Sequence, residues 1–313
     1  MSSSSSSSSS AVSSRRTRQP QRRQSEASRE EGAMADRQYE TLKVQRDGAV
    51  VHVQLHRPKA GNAMNTAFWR EYRECFQALA ADGECRAIVV SGAGKHFSVG
   101  LDIKDASSLT AVSGEGPNKM DAARRAWRNR ETVLAFQDTF SAMERCPQPV
   151  IVAVHAATIG GAIDLMCAAD IRVCAANTFF SIKEVDIGLA ADVGTLQRLH
   201  HVIGNQSLAR ELCYTARRMD ATEAKSAGFV SSIHPTQEAT LAHAMDLARQ
   251  IASKSPVAIT GTKVNLNFSR ENKVRESLEF MAAWNSAMLQ TEDIPKAAMA
   301  SLAQQDQPDF SKL

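Results

Sequence analysis

The sequence predicts an α/β fold, because a strand, a helix and a second strand follow one another near the start of its apolar part. Residues 51–55 alternate apolar and polar side chains, the period-two pattern of a half-buried strand. Residues 65–80 carry apolar side chains at three- and four-residue steps, as one face of a helix does. Residues 87–90 form a continuous apolar run that suits a buried strand. Alternation of this kind indicates a sheet covered by helices.

The later elements continue this pattern and then become mostly helical. Three short apolar runs predict further strands: residues 150–154, 171–175 and 178–182. Apolar side chains at helical spacing predict helices at residues 133–143, 162–169, 196–202, 208–214, 221–227 and 241–253. Residues 104–123 contain two glycines and a proline and predict a loop. The chain is therefore expected to begin with strands and to end in helices.

Three regions differ in composition. Residues 1–38 open with a serine run and continue with arginine-rich sequence that has few apolar side chains, which predicts a disordered leader. Residues 39–255 hold the alternating strands and helices and form the expected core. Residues 256–313 keep a helical pattern to about residue 303 and form the expected C-terminal helical region.

The excess of positive charge lies in the leader. The whole sequence has 37 lysine and arginine residues against 34 acids, and without the seven arginines and four acids of the leader 30 of each remain. A nucleic-acid-binding domain usually carries a basic excess, because phosphate contacts supply most of its non-specific affinity. The balanced core therefore argues against nucleic acid as a partner. The longest apolar stretch, residues 150–163, is interrupted by His155 and two glycines, so no membrane span is expected.

Most familiar cofactor motifs are missing from the sequence. The six cysteines include no CxxC pair and lie mostly in apolar runs, which predicts buried, reduced thiols. The eight histidines form no HExxH motif, so we expect no metal ion. There is also no P-loop, no complete GxGxxG and no GxSxG elbow.

The turn at Gly160-Gly161, between an expected strand and an expected helix, is the first candidate for chemistry. Two glycines let a ligand approach the backbone closely, and the start of a helix presents unpaired N–H groups. Both features suit a developing oxyanion. Alone, such a turn is more often a packing device, and Asp164 in the first helical turn can simply favour the helix dipole. A second turn, residues 96–103, also follows a buried strand and contains Gly100, so one N–H group from each turn could converge on one oxygen.

Both turns resemble segments of the crotonase (enoyl-CoA hydratase/isomerase) superfamily, and the resemblance extends from about residue 39 to residue 313. The two matching stretches are Phe97-Ser98-Val99-Gly100-Leu101-Asp102-Ile103 and Ile159-Gly160-Gly161-Ala162-Ile163-Asp164-Leu165. The resemblance implies a crotonase-type core of repeated β-β-α units followed by a C-terminal helical oligomerisation region. It also implies that the N–H groups of Leu101 and Gly161 bind a thioester oxygen. The implied substrate-binding residues are Val99, Gly100, Leu101, Asp102, Ile103 and Gly161.

Three acids follow the second turn: Asp164, Glu184 and Asp192. The hydratases of the superfamily have a glutamate at the position of Asp164 and another at Glu184, whereas this chain has the shorter Asp164 and adds Asp192. Residues 183–199 are similar to the dienoyl-CoA isomerases, which move a 3,5-diene to the 2,4 position. Taken singly, Asp192 also suits a helix N-cap and Glu184 a solvated strand edge.

The resemblance implies conversion of 3,5-dienoyl-CoA to 2,4-dienoyl-CoA, a step of unsaturated fatty acid β-oxidation. Glu184 is then expected to remove the C2 proton and Asp192 to return a proton at C6, with the reverse assignment left open. Asp164 is expected to tune or orient them. The alternatives are a 2-enoyl-CoA hydratase and, from another class, an RNA-binding or scaffold protein on the same fold.

The expected partner is an acyl-CoA substrate, and no cofactor is expected besides the CoA that it carries. Arg57 and Lys59 are weak candidates for the CoA phosphates. The resemblance implies homotrimers or homohexamers assembled through the C-terminal region, although the apolar stripe at residues 284–289 suits an intrachain core equally well. The tripeptide Ser311-Lys312-Leu313 is a peroxisomal address read by the import receptor. We expect the peroxisomal matrix, with mitochondrial targeting by the Ser/Arg-rich leader left open.

Overall fold

The computed structural model describes residues 38–105 and 120–313. The predicted leader, apart from its last residue, lies outside the described residues. So does most of the predicted loop at residues 104–123. The described part of that loop already contains the start of a helix, because Asp121 caps the N-terminus of Ala122–Arg145 by accepting from the Arg124 N–H at 3.0 Å.

A six-stranded sheet is the centre of the fold. Its strands are β1 (Leu42–Asp47), β2 (Val50–Leu55), β3 (Ala87–Gly92), β4 (Val150–Val154), β6 (Ile171–Ala175) and β9 (Ser232–His234), in the order β1-β2-β3-β4-β6-β9. Only β1 runs antiparallel to its neighbour; the other pairs are parallel. Every residue of β3 and β4 is buried, which explains why these strands read as continuous apolar runs.

A second, three-stranded sheet has the order β5-β7-β8, with β5 at Ala157–Ile159, β7 at Phe179–Ser181 and β8 at Met219–Asp220. The sequence patterns did not reveal β1, β5, β8 or β9. β5, β8 and β9 are only two or three residues long, and β1 buries a single side chain, so no period-two pattern distinguishes them. The predicted strands at residues 51–55, 87–90, 150–154, 171–175 and 178–182 are confirmed to within two residues.

Ten α-helices complete the described part of the chain. They are α1 (Thr66–Ala80), α2 (Ala122–Arg145), α3 (Gly161–Ala168), α4 (Thr195–Val202), α5 (Gln206–Thr215), α6 (Ala221–Ser226), α7 (Gln237–Ala252), α8 (Pro256–Glu271), α9 (Val274–Met288) and α10 (Asp293–Leu302). Two 3₁₀ turns lie at Pro58–Ala60 and Glu184–Ile187. In the described ranges, no helix combines the length and the apolar character that crossing a bilayer requires.

Two kinds of packing surround the large sheet, one through small side chains and one through aromatic side chains. Helix α7 lies against it through Ala244, Ala248 and Ala252, which contact valines and isoleucines of the strands. Helices α1 and α2 meet in an aromatic cluster, where the rings of Trp69 and Phe136 stack at 4.7 Å between centroids. The small alanines let α7 approach the strands closely, while the aromatic rings bury large apolar areas between α1 and α2.

Helix α8 is fastened to the sheet by a buried charge. Lys263 is only 6% exposed, and its Nζ donates to the Gln148 carbonyl at 2.9 Å and pairs with Asp170 at 2.7 Å. The same Asp170 oxygen accepts the Val150 N–H at 2.7 Å. Asp170 therefore has a structural position, at the end of the chain segment that leads into β6.

Candidate active site

The two glycine-containing turns lie side by side. The Ser98 N–H donates to the Ala157 carbonyl at 3.2 Å, and the Ile159 N–H donates to the Ser98 carbonyl at 3.1 Å, which forms a short parallel bridge between Ser98 and Thr158. The Phe97 N–H adds a bond to the His155 carbonyl at 3.0 Å. These bonds hold the first turn against β5 and against the beginning of α3.

Two backbone N–H groups remain unpaired where the turns meet. The Met64 N–H donates to the Gly100 carbonyl, and the Asp102 N–H donates to the Met64 carbonyl. In this parallel bridge the N–H of Leu101 points away from Met64. Gly161 is the first residue of α3, and its N–H has no acceptor within the helix. Neither N–H has a hydrogen-bond acceptor among the residues that the structure describes. Two such donors suit an oxygen that gains negative charge.

Glycine is required at both turns for steric reasons. Gly100 has φ +84°, and a Cβ there would lie 2.7 Å from the Ile159 carbonyl oxygen and 3.4 Å from the Gly161 nitrogen. Gly160 has φ +55°, and a Cβ there would lie 3.2 Å from Oε1 of Glu184. The near-contact at Gly160 also shows that the Glu184 carboxyl lies directly beside the second turn.

The structure brings the three predicted acids into one cluster. Asp164 is fully buried on α3, and its Oδ1 accepts the Thr195 N–H at 2.5 Å. Glu184 begins the second 3₁₀ turn and is partly buried, while Asp192 lies three residues before α4. One buried oxygen of Asp164 and one of Glu184 have no hydrogen-bond partner within the described part of the chain.

The pKa values of all three acids are raised above their ordinary values. The pKa of Glu184 is raised to about 7, chiefly by burial and further by the carboxylates of Asp164 and Asp192. The pKa of Asp164 is raised to about 6, again chiefly by burial, although the side chain and the backbone N–H of Thr195 oppose the rise. Asp192 is more exposed than the other two acids, and its partial burial also raises its pKa. Carboxyl groups with pKa values of about 6 and about 7, as Asp164 and Glu184 have, can hold or release a proton near neutral pH.

The simpler structural interpretations of the acids do not account for this cluster. Gly194, not Asp192, occupies the N-cap position of α4, and no side chain caps that helix. Asp164 does lie in the first turn of α3, but its carboxyl reaches the Thr195 N–H of another helix. Glu184 is partly buried with an unpartnered oxygen, unlike a solvated edge residue.

The other predicted binding residues have mixed surroundings. Val99 and Ile103 are exposed, whereas Leu101 and Asp102 are partly buried. The Asp102 carboxylate accepts a hydrogen bond from the Arg57 guanidinium at 2.9 Å. Arg57, a candidate for binding the CoA phosphates, therefore forms an ion pair within the chain. Lys59 is exposed in the first 3₁₀ turn.

Four residues of this site were not found from the sequence: Gln137, Glu144, Thr195 and Arg198. Gln137 donates to the Asp192 carbonyl at 2.7 Å, and Arg198 forms an ion pair with Glu144 at 2.7 Å. Gln137 and Asp192 are 55 residues apart in the sequence, and Glu144 and Arg198 are 54 apart. Thr195 and its partner Asp164 are 31 residues apart. No local spacing signals a contact over such a separation.

Replacing Asp164 by Asn is expected to stabilise the protein by about 1–3 kcal/mol at pH 8 and to give no such gain at pH 4. The folded-state pKa of Asp164, about 6, lies above the ordinary 3.8, so the folded state binds more protons between these values. The ionised carboxylate therefore costs stability above about pH 6, and the cost disappears below about pH 4. Asn keeps an oxygen for the Thr195 N–H. Denaturant unfolding at both pH values measures the difference.

The control for that measurement is Asp246→Asn, which removes an exposed carboxylate paired with Arg249 on α7. The effect of this variant on the free energy of unfolding should not increase between pH 4 and pH 8. An equal effect of Asp164→Asn at both pH values would contradict the assignment of a costly buried charge.

Comparison with known proteins agrees with this geometry. The family profile described as "Enoyl-CoA hydratase/isomerase" matches residues 45–312. The mitochondrial Delta(3,5)-Delta(2,4)-dienoyl-CoA isomerase of Mus musculus is 52% identical over 284 residues, which cover 90% of this chain and 85% of that protein. The peroxisomal enzyme of the same name from Arabidopsis thaliana is 40% identical over 88% of this chain and 98% of its own length.

Solved structures give the same result. The crystal structure of an enoyl-CoA hydratase from Bacillus anthracis superimposes with a TM-score of 0.76 at 25% identity, over 87% of this chain and 99% of the other. A probable enoyl-CoA hydratase/isomerase from Mycobacterium abscessus has a TM-score of 0.76 at 26% identity, over 88% and 100%. The predicted α/β fold with C-terminal helices and the resemblance to the crotonase superfamily are confirmed. The chain belongs to the enoyl-CoA hydratase/isomerase family.

Proposed function

We propose that this protein is a dienoyl-CoA isomerase, which converts 3,5-dienoyl-CoA to 2,4-dienoyl-CoA in the β-oxidation of unsaturated fatty acids. The observation that carries the proposal is the cluster of Asp164, Glu184 and Asp192 beside the two unpaired N–H groups. The relatives that are 50–52% identical over 90% of the chain, all named dienoyl-CoA isomerases, support the same reaction.

The reaction moves one proton and two double bonds. Glu184 takes the C2 proton, and the electron pair of the broken C–H bond spreads over the thioester oxygen and the former diene. Asp192 then gives a proton to C6, which leaves double bonds at C2–C3 and C4–C5. The two protein carboxyl groups exchange their protonation states, and solvent restores them, so atoms and charge balance. No metal or redox cofactor takes part in these steps.

The N–H groups of Leu101 and Gly161 are proposed to hold the thioester oxygen. One such donor typically lowers a barrier by roughly 2.7–4 kcal/mol when charge develops on that oxygen. The steric near-contact between Gly160 and the Glu184 carboxyl supports a base beside the thioester, where the C2 proton lies. Val99, Gly100, Asp102 and Ile103 belong to the first turn and are proposed to line the same substrate site.

The surroundings of the three acids are compatible with separate roles, and the reverse assignment of base and acid between Glu184 and Asp192 stays open. A pKa of about 7 allows Glu184 to be ionised in a useful fraction of molecules and still to bind a proton readily. Asp164 is tied to the Thr195 N–H, which supports an orienting role. Asp192 is the remaining carboxyl and is assigned the proton transfer at C6.

Product analysis tests the proposal directly. The purified protein is expected to convert 3,5-dienoyl-CoA into a product with the absorbance of a diene conjugated to the thioester, with little hydration of 2-enoyl-CoA. Brisk hydration without diene formation would favour the 2-enoyl-CoA hydratase; more distant relatives at 28% and 30% identity are named short-chain-enoyl-CoA hydratase and probable enoyl-CoA hydratase. If neither reaction occurred, the scaffold or RNA-binding alternative would replace the proposal.

We further propose a location in the peroxisomal matrix and assembly into homotrimers or homohexamers. Relatives carry mitochondrial and peroxisomal names, and the exposed tripeptide Ser311-Lys312-Leu313 supports the peroxisome, with the import receptor as its partner. Assembly is supported by apolar side chains on α8 and α9 that are more than half exposed: Leu266, Val274 and Leu278. Trp284, in contrast, packs within the chain, with its Nε1 3.0 Å from where a Cβ of Gly261 would lie.

A further inference from the structure

Residues 192–195, the acid loop, are held at three points by side chains outside the loop. At its start, Gln137 of α2 donates to the Asp192 carbonyl at 2.7 Å. At its end, the Thr195 N–H donates to Asp164 at 2.5 Å. Between them, Gly194 has φ +137°, and a Cβ there would overlap Nη1 of Arg198. The guanidinium of Arg198 therefore packs directly against the loop backbone.

Arg198 is itself held in a fixed orientation by α2. Its Nε donates to both carboxylate oxygens of Glu144 at 3.1 and 3.2 Å, and its Nη2 donates to Oε2 at 2.7 Å. Nη2 also donates to the Ser141 hydroxyl at 3.0 Å. The side chains of Arg198 and Glu144 are 13% and 14% exposed. The planar guanidinium has little freedom to move because several of its N–H groups donate hydrogen bonds at once. A lysine ammonium could not make the same set of bonds.

Glu144 has a second arginine partner. Arg270 of α8 pairs with it at 2.7 Å, so the carboxylate lies between a helix of the C-terminal region and the helix that follows the acid loop. Burial alone would raise the pKa of Glu144, but Arg198 and Arg270 lower it below its usual range. The carboxylate therefore stays charged and available to Arg198.

We propose that Arg198, fixed by Glu144, is a positioning residue that holds the acid loop so that Asp192 faces the substrate. This inference rests on the proposed function, because it concerns the placement of an acid in that reaction. Arg198 touches the loop backbone at Gly194, and its charge also lowers the pKa of Asp164. A displacement of about 1 Å in such a group can reduce a rate by about a hundredfold.

Steady-state kinetics of Arg198→Met, measured well below its unfolding temperature, tests the proposal. We expect kcat for isomerisation to fall about 10- to 100-fold while KM changes less than about twofold, since the CoA thioester is held by other residues. Arg198→Lys should recover part of the loss. Glu144→Gln should lower kcat in the same direction, and it serves as the test if Arg198→Met does not fold.

The control is Glu223→Gln on α6, which breaks an ion pair with Arg217, a residue that makes no hydrogen bond to the acid loop, and it should leave kcat unchanged. In an Asp192→Asn background, Arg198→Met should reduce kcat by less than about twofold, because the acid that it positions is already absent. An unchanged kcat in folded Arg198→Met, or a full 10- to 100-fold loss in that background, would overturn the proposal. If Asp192→Asn alone retained full turnover, the failure would belong to the proposed role of Asp192 instead.

Discussion

Replacing Asp192 by Asn is expected to lower kcat for isomerisation by about a thousandfold, within the usual range for loss of one general acid or base. Asn has nearly the same shape, and the bond from Gln137 goes to the Asp192 backbone, so the acid loop should keep its position. The amide cannot return a proton at C6. Because the thioester is proposed to bind at the two turns, calorimetry should show unchanged binding of a non-reactive acyl-CoA.

The matched control is Asp186→Asn, which removes another carboxylate of the same region. Asp186 is exposed and pairs with Lys183 on the 3₁₀ turn that carries Glu184. Its replacement should leave kcat close to that of the wild type. Wild-type turnover in Asp192→Asn would exclude Asp192 from proton transfer, whereas loss of acyl-CoA binding would show that the loop had moved.

Replacing Gly100 by Ala is expected to reduce kcat/KM by about a hundred- to a thousandfold, the usual cost of losing one oxyanion donor. The added Cβ would lie 2.7 Å from the Ile159 carbonyl oxygen, so the two turns would have to separate. The Leu101 and Gly161 N–H groups could then no longer reach one oxygen. The same substitution also imposes φ +84° on a residue with a side chain, which costs about 1–3 kcal/mol of stability.

Gly228→Ala separates these two effects. Gly228 has φ +79°, but its added Cβ would meet only the Val202 carbonyl at an ordinary 3.7 Å. This control should lose stability and keep its kcat/KM. Equal kinetic losses in Gly100→Ala and Gly228→Ala would attribute the effect to backbone strain and would contradict the assignment of the two turns to oxyanion binding.

The elements with a helical or alternating period, or with a continuous apolar run, were predictable from the sequence. Helix α1 and strands β2, β3 and β4 were found because long apolar patterns dominate their local preferences. The short strands β5 and β8 were missed, since two or three residues cannot establish a period. Both strands exist because they pair with β7, and local sequence does not specify that pairing.

The candidate site was predictable in its residue types and not in its geometry. The glycine turns and three acids could be named because the family resemblance assigns them, yet no spacing reveals that Asp164 accepts the Thr195 N–H. The sequence alone is equally compatible with an N-cap role for Asp192, which the structure excludes because Gly194 is the N-cap of α4. Arg198 looked like an ordinary helix residue, because its partner Glu144 lies on a distant helix. Tertiary contacts decide these roles.

The three acids occupy one short stretch of sequence, from the first turn of α3 to the residues before α4. The N–H group of Leu101 comes from a separate segment, after β3. Genetic exchange of residues 164–192 between members of this fold would therefore replace the proposed proton-transferring groups in one event and preserve the proposed Leu101 donor. Such an exchange is expected to change the reaction type only if the recipient supplies counterparts of Gln137 and Glu144 on α2 and of Thr195 and Arg198 on α4.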